Sequence, residues 1–446
     1  MDQLASKTLA DVYMKQGHFQ QAYEILKSLS EKDPSDAEVR MKLEEAKEKL
    51  GLPFSQLHRP VASPGGKIQI LEQWLSNIKK TEKMRGDATH QARLWSARKL
   101  FDSHPLDAVL FSSLENIRYL CGFTGSDGAL LLTRKDSFFL TDSRYWTQAD
   151  EEIRGSQAIH YKKKIDGIAS LLSDLKLSNV GFESTVLTLS SHRSLKEKLA
   201  TDVTLVPLEN EIKNFRAVKD AQELTLIRKA IDISSKAFQH ALGMAKEGVA
   251  ENDIALEMEF FMKRNGAEVL GFDIIVASGK RSALPHGKAS EKRIEKGDFI
   301  LFDYGSRYQG YHSDETCTAI CGDPSPEQQK MVQVVREAHD KAIEMVRPGI
   351  PIRDVDAAAR DHIRDCGYGD YFGHGLGHGV GLAVHEDPFV NADNKDVVQE
   401  GMVFTIEPGI YIPDQGGVRL EDMILVTAHG AEVLTPLSKD LKVIDV

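Results

Sequence analysis

Apolar and polar residues follow two kinds of pattern in the middle of the chain. Strand-length runs rich in apolar residues occur at Ala108–Phe111, Ala129–Leu132 and Asp136–Thr141, and residues 169–177 have the apolar spacing of an amphipathic helix. Strands that alternate with helices in this way are typical of an α/β domain with a mixed or parallel sheet. We expect such a domain over residues 87–212.

The pattern changes near residue 213. One long helix is predicted over residues 221–245, where apolar positions recur at helical spacing. Further on, strand-length apolar runs such as Phe299–Tyr304 and Val403–Ile406 have polar residues at their ends. We expect a second domain over residues 213–446, with its chemistry at those strand ends.

The segment ahead of both domains is predicted to be helical. Over residues 1–50, small and large apolar residues fall where one tetratricopeptide repeat has them. A single repeat cannot bury its own apolar faces, since about three are normally needed. We therefore expect packing on the main body, on a second subunit or on another protein, with a plain helical hairpin as the alternative. Residues 51–86 are predicted to be a connector interrupted by prolines, with one short amphipathic helix at residues 71–78.

Composition and charge disfavour some classes of partner and cellular compartment. Apolar residues make up 41% and charged residues 28% of the chain, so a sizeable core is expected. The formal net charge of −11 disfavours nucleic acid or an anionic membrane as partner, because both require clustered cations. Four cysteines occur without a Cys-x-x-Cys pair, and neither a signal sequence nor an apolar run of roughly 18 residues is found. A cytoplasmic protein in a reducing compartment is therefore expected.

Two carboxylates flank a predicted hairpin. Asp303 follows the apolar run Phe299–Phe302, and Asp314 comes eleven positions later, after Gly305 and Gly310. In such a hairpin, a buried strand ends in a carboxylate, the chain turns at glycines, and the returning strand carries a second carboxylate. Both carboxylates then point to the same place. Buried carboxylates that lie close together need a cation. For this pair alone, the alternative is two turn aspartates in water.

A glycine-rich segment carries further candidate ligands. Within Gly373–Gly381, glycines separate His374 from His378, and His385 follows closely. Glycine lets the backbone and a ligand approach each other, so this density of histidines favours ligand binding over a structural role. His286 lies in a separate predicted turn upstream.

Two more carboxylates follow predicted strands. Glu407 follows Val403–Ile406. Glu421 lies two positions after Arg419, so the side chains of Arg419 and Glu421 face the same side of a strand. The sequence thus offers an oxygen-rich ligand set with a single nitrogen: Asp303, Asp314, His378, Glu407 and Glu421. Its four carboxylates can balance two divalent cations, Mn²⁺ first, with Co²⁺, Fe²⁺ or Zn²⁺ as alternatives. Two such ions about 3.5–4 Å apart can share a bridging water and lower its pKa.

In this order, the residues resemble the pita-bread metallopeptidases, specifically the branch of aminopeptidase P and Xaa-Pro dipeptidase (prolidase). The resemblance covers roughly residues 88–446. It includes Asn116–Leu120 and Phe123–Ser126, which are similar to the amino-terminal domain of that branch. The fold that it implies is α+β, with a short helical extension, a smaller creatinase-like α/β domain and a C-terminal pita-bread catalytic domain.

The resemblance also implies roles at the metal site. Asp303 is similar to a ligand of one metal ion, and Asp314 and Glu421 are similar to carboxylates that bridge both ions. His378 and Glu407 are similar to the ligands of the other ion. Glu407 further resembles the residue that takes the proton from the bridging water.

Other residues resemble those that contact the substrate. His286 and His385 are similar to the histidines that line the cleft, orient the substrate and stabilise the tetrahedral intermediate. His374, Tyr411 and Arg419 resemble residues that support the site or contact the proline side of the substrate.

The implied activity is hydrolysis of the bond between an N-terminal residue and proline, by a hydroxide that bridges two divalent metals. An Xaa-Pro aminopeptidase is favoured over an Xaa-Pro dipeptidase. The alternatives are a metal-free, creatinase-like amidinohydrolase, which would have lost the carboxylates, and a non-catalytic binding scaffold. The expected partners are a proline-containing peptide, a second copy in a homodimer and a protein bound by the N-terminal helices, with no nucleic acid or membrane. One departure is Cys317, where the family often has an arginine.

Overall fold

The computed structural model describes residues 3–15, 18–33, 36–49 and 88–446. The predicted helix at residues 71–78, with most of its connector, lies outside these ranges. The chain forms two compact units, Met1–Thr81 and Glu82–Val446. Within the described ranges, none of the helices has the length and apolar character needed to cross a bilayer.

The first unit contains three helices: α1 (Gln3–Lys15), α2 (Phe19–Lys32) and α3 (Ala37–Lys49). Their apolar faces meet in a small core to which all three contribute. Ala10 and Ala22 are fully buried in this core, so small side chains lie where the helices pack. The helices predicted for this segment are therefore present.

The second unit begins with an α/β region. Its elements are α4 (residues 88–97), α5 (Leu100–Ser103), β1 (Ala108–Phe111), α6 (Leu114–Cys121), β2 (Ala129–Thr133), β3 (Ser137–Thr141), α7 (Trp146–Glu152), β4 (Gln157–His160), α8 (Lys164–Asp174), β5 (Asn179–Glu183), α9 (Leu189–Lys198), β6 (Thr204–Leu208) and α10 (Asn210–Lys213). The strands form one sheet in the order β4-β3-β2-β1-β5-β6. Parallel and antiparallel pairs both occur in it, so the predicted mixed sheet is confirmed.

The rest of the second unit contains four helices and many short strands. They are α11 (Ala221–Leu242), α12 (Glu251–Arg264), β7 (Val269–Leu270), β8 (Ile275–Ser278), β9 (Phe299–Tyr304), β10 (Ser306–Tyr308), β11 (Tyr311–His312), β12 (Glu315–Cys321), α13 (Pro326–Met345), α14 (Ile352–Asp365), β13 (Gly377–Gly379), β14 (Glu386–Val390), β15 (Val403–Ile406), β16 (Gly409–Ile412), β17 (Gly416–Arg419), β18 (Asp422–Thr427), β19 (Gly430–Val433) and β20 (Lys442–Ile444). Short 3-10 helices occur at Gly279–Ala283 and Gly369–Tyr371.

Two sheets dominate this region. One has the strand order β20-β12-β9-β8, and the other has the order β14-β13-β15-β18-β19. Helices α11 and α12 share a buried core with the four-stranded sheet, in which Phe238 packs on Phe302. Helices α13 and α14 share a core with the five-stranded sheet, around Phe404 and Ile424. Each sheet thus has one face covered by a helix pair, which is an α+β arrangement.

Local signals in the sequence set the helix boundaries. Helix α11 begins at a capping box in which Asp220 accepts from the main-chain N–H of Glu223 and the Glu223 side chain accepts in return. Ser325 and Gln328 form the same reciprocal pair at the start of α13. Helix α6 ends at Gly122, whose φ of 83° suits glycine. These polar side chains satisfy main-chain groups that a helix end leaves unpaired.

A buried ion network joins the α/β region to the rest of the second unit. Glu386 on β14 accepts from Lys219 Nζ and Arg216 Nη2, each at 2.9 Å. Arg216 also donates to Asn116 on α6. Burial by itself would raise the pKa of Glu386, but Lys219 and Arg216 outweigh it and hold that pKa below its usual range.

We expect Glu386→Gln to lower the free energy of unfolding by about 3–5 kcal/mol, because two buried cations lose their anion. The measurement is urea unfolding at pH 7. Glu432→Gln is the control, since Glu432 pairs with Arg228 at a half-exposed position, and its effect should stay below about 1 kcal/mol. The folded-state pKa of Glu386 lies below the unfolded value near 4.5, so the stabilisation is complete above that pH and is lost as pH falls below it. Equal effects of the two variants at pH 7 would contradict the network.

Candidate metal centre

Strand ends of both sheets bring the predicted ligands together. Asp303 lies near the end of β9, and Asp314 directly precedes β12, which pairs antiparallel with β9. Glu407 directly follows β15, and Glu421 directly precedes β18, which pairs with β15. His378 is the middle residue of β13. Antiparallel pairing places the end of one strand beside the start of the next, so the four carboxylates converge.

One cleft of about 490 Å³ contains nearly all of the predicted site residues. Its walls include His286, Asp303, Asp314, His374, His378, His385, Glu407, Arg419 and Glu421. Tyr411 lies just behind the wall and donates or accepts a hydrogen bond with His374 Nε2 at 2.9 Å. Asp303 and Asp314 both line this cleft, which is the arrangement that the hairpin interpretation predicts.

The distances between these atoms fit a metal ion. One ligand atom from each of Asp314, His378 and Glu421 lies within 4.8 Å of the others. His378 Nε2 is 3.6 Å from Asp314 Oδ2 and 3.4 Å from Glu407 Oε1. Two atoms bound to the same ion at about 2.1 Å lie roughly 3.0–3.4 Å apart, so these spacings leave room for an ion between the atoms.

The electrostatics of the cluster require added positive charge. Burial raises the pKa of Asp314 and Glu421 well above the usual range, and repulsion from the neighbouring carboxylates raises it further. Burial also raises the pKa of Asp303 and Glu407, although Arg419 opposes this effect at both. Four carboxylates with one guanidinium cannot all ionise here unless cations enter. The residues therefore fit a pair of divalent ions.

Neutral histidines complete the donor set. Burial lowers the pKa of His378, and it lowers the pKa of His385 to about 4. His378 Nδ1 lies 3.1 Å from the Gly379 main-chain oxygen, so Nδ1–H donates a hydrogen bond there. Nε2 then carries no proton, and its lone pair faces the carboxylates, where it could bind a metal ion. A Cβ at Gly377 would lie 2.0 Å from the Thr405 main-chain oxygen, so β13 and β15 can approach this closely only with glycine at that position.

Arg419 is the buried cation of the site. Its Nη2 donates to Asp303 Oδ2 at 2.5 Å, and its Nη1 donates to the Tyr411 hydroxyl at 2.9 Å. Its Nε donates to Thr316 Oγ1 at 3.1 Å. Nη1 also donates to the Pro285 main-chain oxygen at 3.2 Å. A planar guanidinium held by these four partners keeps Asp303 in a single orientation.

Sequence reasoning missed two threonines that hold the ligands. Thr316 Oγ1 donates to Glu421 Oε2 at 2.6 Å. Thr405 Oγ1 donates to Glu407 Oε1 at 3.1 Å and accepts from the His378 main-chain N–H. A signal was available, because Thr405 lies two positions before Glu407 on an extended segment and so faces the same side.

The outer walls of the cleft were also missed. They are formed by Phe272, Asp273, Ile275, Lys288, Phe389 and Asn391. These residues come from loops and strand edges that are distant in sequence, and no motif connects them. Lys288 Nζ lies 2.8 Å from Asp273 Oδ2, and both side chains are mostly exposed at the rim.

Comparison with known proteins agrees with this geometry. Residues 225–428 match metallopeptidase family M24, residues 93–218 match the Creatinase/Prolidase N-terminal domain, and residues 2–46 match a tetratricopeptide repeat. A relative named Xaa-Pro dipeptidase, from Pyrococcus horikoshii, is 41% identical over 344 residues, which cover 77% of this chain and 96% of that protein.

Solved structures agree as well. The Xaa-Pro dipeptidase from Bacillus anthracis matches with a TM-score of 0.77 and 40% identity, over 80% of this chain and 100% of that one. The X-Pro aminopeptidase from Thermotoga maritima matches with a TM-score of 0.72 and 37% identity, over 78% of this chain and 100% of that one. The expected α+β fold is confirmed, and a metal-free amidinohydrolase or a scaffold finds no support among these relatives. The chain is therefore an enzyme of metallopeptidase family M24, within its aminopeptidase P and prolidase branch.

Proposed function

We propose that this enzyme hydrolyses the peptide bond between an N-terminal residue and proline, with Xaa-Pro dipeptides as its first substrates. The observation that carries the proposal is the convergence of the ligand set in one cleft: Asp303, Asp314, His378, Glu407 and Glu421. Relatives named Xaa-Pro dipeptidase at 41% and 40% identity support the dipeptide.

The ligand set would hold two divalent ions. Asp303 would bind one ion, His378 and Glu407 would bind the other, and Asp314 and Glu421 would bind both. Oxygen donors with a single imidazole favour Mn²⁺, with Co²⁺, Fe²⁺ or Zn²⁺ as alternatives. When bound, such ions polarise a carbonyl group and lower the pKa of water.

The protein's own groups move the protons. Glu407 accepts the proton of the water whose oxygen attacks the carbonyl carbon before proline. The same carboxyl group then protonates the proline nitrogen as the C–N bond breaks. His385 is neutral near pH 7 because burial lowers its pKa to about 4, so it donates a hydrogen bond to the developing oxyanion without carrying charge. His286, on the same wall, orients the substrate.

The shape of the cleft suits proline. Its walls include the apolar side chains Phe272, Ile275 and Phe389, which can pack against the ring. Proline's tertiary amide has no N–H to satisfy, so an apolar wall at this position costs no hydrogen bond. The acidic end of the cleft attracts the free amine of the substrate, which restricts cleavage to the amino terminus.

Lys288 favours a substrate with a free carboxylate directly after the proline. Lys288 and Arg419 are the lysine and arginine that line the described cleft, and Arg419 is held by Asp303. Within the described part of the chain, the ion pair of Lys288 is with exposed Asp273 at the rim, where a substrate carboxylate can replace that partner. The second candidate is an Xaa-Pro aminopeptidase that takes longer peptides, which the similarity to the Thermotoga maritima enzyme favours.

Removal of a ligand carboxylate tests the reaction itself. Purified protein loaded with Mn²⁺ should contain two ions per chain and hydrolyse Ala-Pro, and chelation should abolish turnover until Mn²⁺ is restored. Glu407→Gln should lower kcat by roughly 10²–10⁴-fold, because the proton acceptor is lost. Glu432→Gln, far from the cleft, is the matched control and should keep full activity. Turnover by fully metal-free protein, or undiminished activity of Glu407→Gln, would refute the assignment.

Side-by-side assays of Ala-Pro, Ala-Pro amide and Ala-Pro-Ala separate the two candidates. A dipeptidase prefers Ala-Pro. In that case, Lys288→Met should raise KM for Ala-Pro about two- to five-fold, which is the effect of losing one exposed ion pair. KM for Ala-Pro amide should stay unchanged. Asp273→Asn should lower KM for Ala-Pro, because a competing anion is removed. Equal kcat/KM for Ala-Pro-Ala and Ala-Pro would instead identify the aminopeptidase.

We also propose that the helical unit serves assembly rather than chemistry. The match to a tetratricopeptide repeat and the small size of its core support this role. Deletion of residues 1–50 should leave kcat/KM for Ala-Pro within about two-fold and should change the molar mass measured by light scattering or the binding of a protein partner. Loss of hydrolysis in a folded, normally assembled deletion would show that the unit belongs to the active site.

A further inference from the structure

A buried lysine lies next to the proposed metal centre without contacting the cleft. Lys439, in the segment before β20, is only 4% exposed. Its Nζ contacts Glu315 Oε1 and lies 3.1 Å from Asp422 Oδ1. Both carboxylates are themselves buried. Glu315 relies on this cation for charge balance, whereas Asp422 shares it with His339, whose Nε2 lies 3.1 Å from Asp422 Oδ2.

Each of these two carboxylates directly follows a proposed bridging ligand. Glu315 follows Asp314 at the start of β12, and Asp422 follows Glu421 at the start of β18. Neighbouring side chains on an extended segment point to opposite sides. Lys439 therefore binds the side of the two strands that faces away from the metal ligands.

The two strands belong to different sheets. Strand β12 lies in the four-stranded sheet and β18 in the five-stranded sheet, so no strand ladder sets the distance between them. They meet where the Glu421 main-chain N–H donates to the Thr316 main-chain oxygen. Thr316 Oγ1 also donates to Glu421 Oε2 there. Lys439 adds a charged connection one residue away on each strand, which opposes rotation of the two strands relative to each other.

Further contacts anchor Glu315 and Asp422, the two carboxylates that pair with Lys439, to the surrounding structure. Ser235 Oγ on α11 donates to Glu315 Oε2 at 3.0 Å, and Thr435 Oγ1 donates to Asp422 Oδ1 at 2.5 Å. Cys317 Sγ lies 3.8 Å from Lys439 Nζ. The position where an arginine was expected from the resemblance is thus occupied by a buried thiol, and the adjacent cation comes from a distant part of the chain.

We propose that Lys439 is a positioning residue of the metal centre. By pairing at once with Glu315 and Asp422, it holds Asp314 and Glu421 at the spacing at which both can bind the same two ions. The proposal rests on the ligand roles given under the proposed function, and it concerns metal affinity rather than substrate choice.

Calorimetric titration of the metal-free full-length chain with Mn²⁺ tests this role. Lys439→Met should weaken Mn²⁺ binding at least ten-fold in Kd, the range found when groups that orient metal ligands are removed. Lys439→Arg keeps the charge and should stay within about three-fold of wild type. Lys442→Met is the control, since Lys442 Nζ donates to the Ser438 main-chain oxygen and contacts no ligand strand carboxylate, and it should bind Mn²⁺ as wild type does.

Activity gives a second readout. At saturating Mn²⁺, Lys439→Met should regain most of its kcat while KM for Ala-Pro stays unchanged, because the lysine acts through metal occupancy. A folded Lys439→Met protein with wild-type Mn²⁺ affinity overturns the proposal.

A neutral double variant covers the case in which Lys439→Met does not fold. Lys439→Met with Glu315→Gln removes one buried carboxylate together with its cation, so fewer buried charges are left unpaired. It should fold and still bind Mn²⁺ at least ten-fold more weakly, and wild-type affinity in this variant overturns the proposal. Wild-type protein that binds Mn²⁺ yet hydrolyses no Xaa-Pro peptide overturns the proposed substrate alone, since the comparison of Kd values still decides the role of Lys439.

Discussion

Four carboxylates placed against one another in a largely buried cleft are the constraint on which the rest of this molecule depends. Burial raises the pKa of all four carboxyl groups, and repulsion from neighbouring carboxylates raises the pKa of Asp314, Glu407 and Glu421 further. Such a cluster is unfavourable in a protein by itself, because like charges at short range destabilise the ionised forms. The cluster becomes favourable when divalent cations enter, because the cations offset this repulsion. Relief of the repulsion therefore contributes to the free energy of metal binding.

The scaffold around the cluster opposes the repulsion at fixed points. Thr316 and Thr405 donate hydrogen bonds to Glu421 and Glu407, and Arg419 holds Asp303. These contacts orient single oxygens, whereas the strand pairings decide where each backbone runs. Weak contacts alone would let the ligand side chains move out of the geometry that a metal ion needs. We therefore expect the buried ion pairs around the site to help keep the ligands in place.

Chemistry and binding use different parts of the cleft. The acidic end, with its neutral histidines, suits the attack of water on a carbonyl group and the capture of a free amine. In the proposed reaction, the apolar and rim residues would face the leaving proline and any residue that follows it.

The sequence by itself determined the order of elements and the candidate residues of the proposed ligand set. Apolar runs that end in carboxylates, and glycines beside histidines, are local patterns, and local patterns follow from strand and turn chemistry without knowledge of the fold. The strands at Phe299–Tyr304 and Val403–Ile406 were predicted with the bounds that the structure has. The helix predicted at 169–177 spans Lys164–Asp174, because Ile165 and Ile168 extend its apolar face towards the amino terminus.

Only the tertiary structure decided which distant groups meet. Thr316 beside Glu421, Lys288 at the rim of the cleft and Lys439 between Glu315 and Asp422 depend on the pairing of strands and on the packing of two sheets. A lone lysine or threonine has no motif, and its partners lie as far as 124 positions away along the chain. Contacts of that kind arise from the burial of the whole core, and so they cannot be read from any one segment.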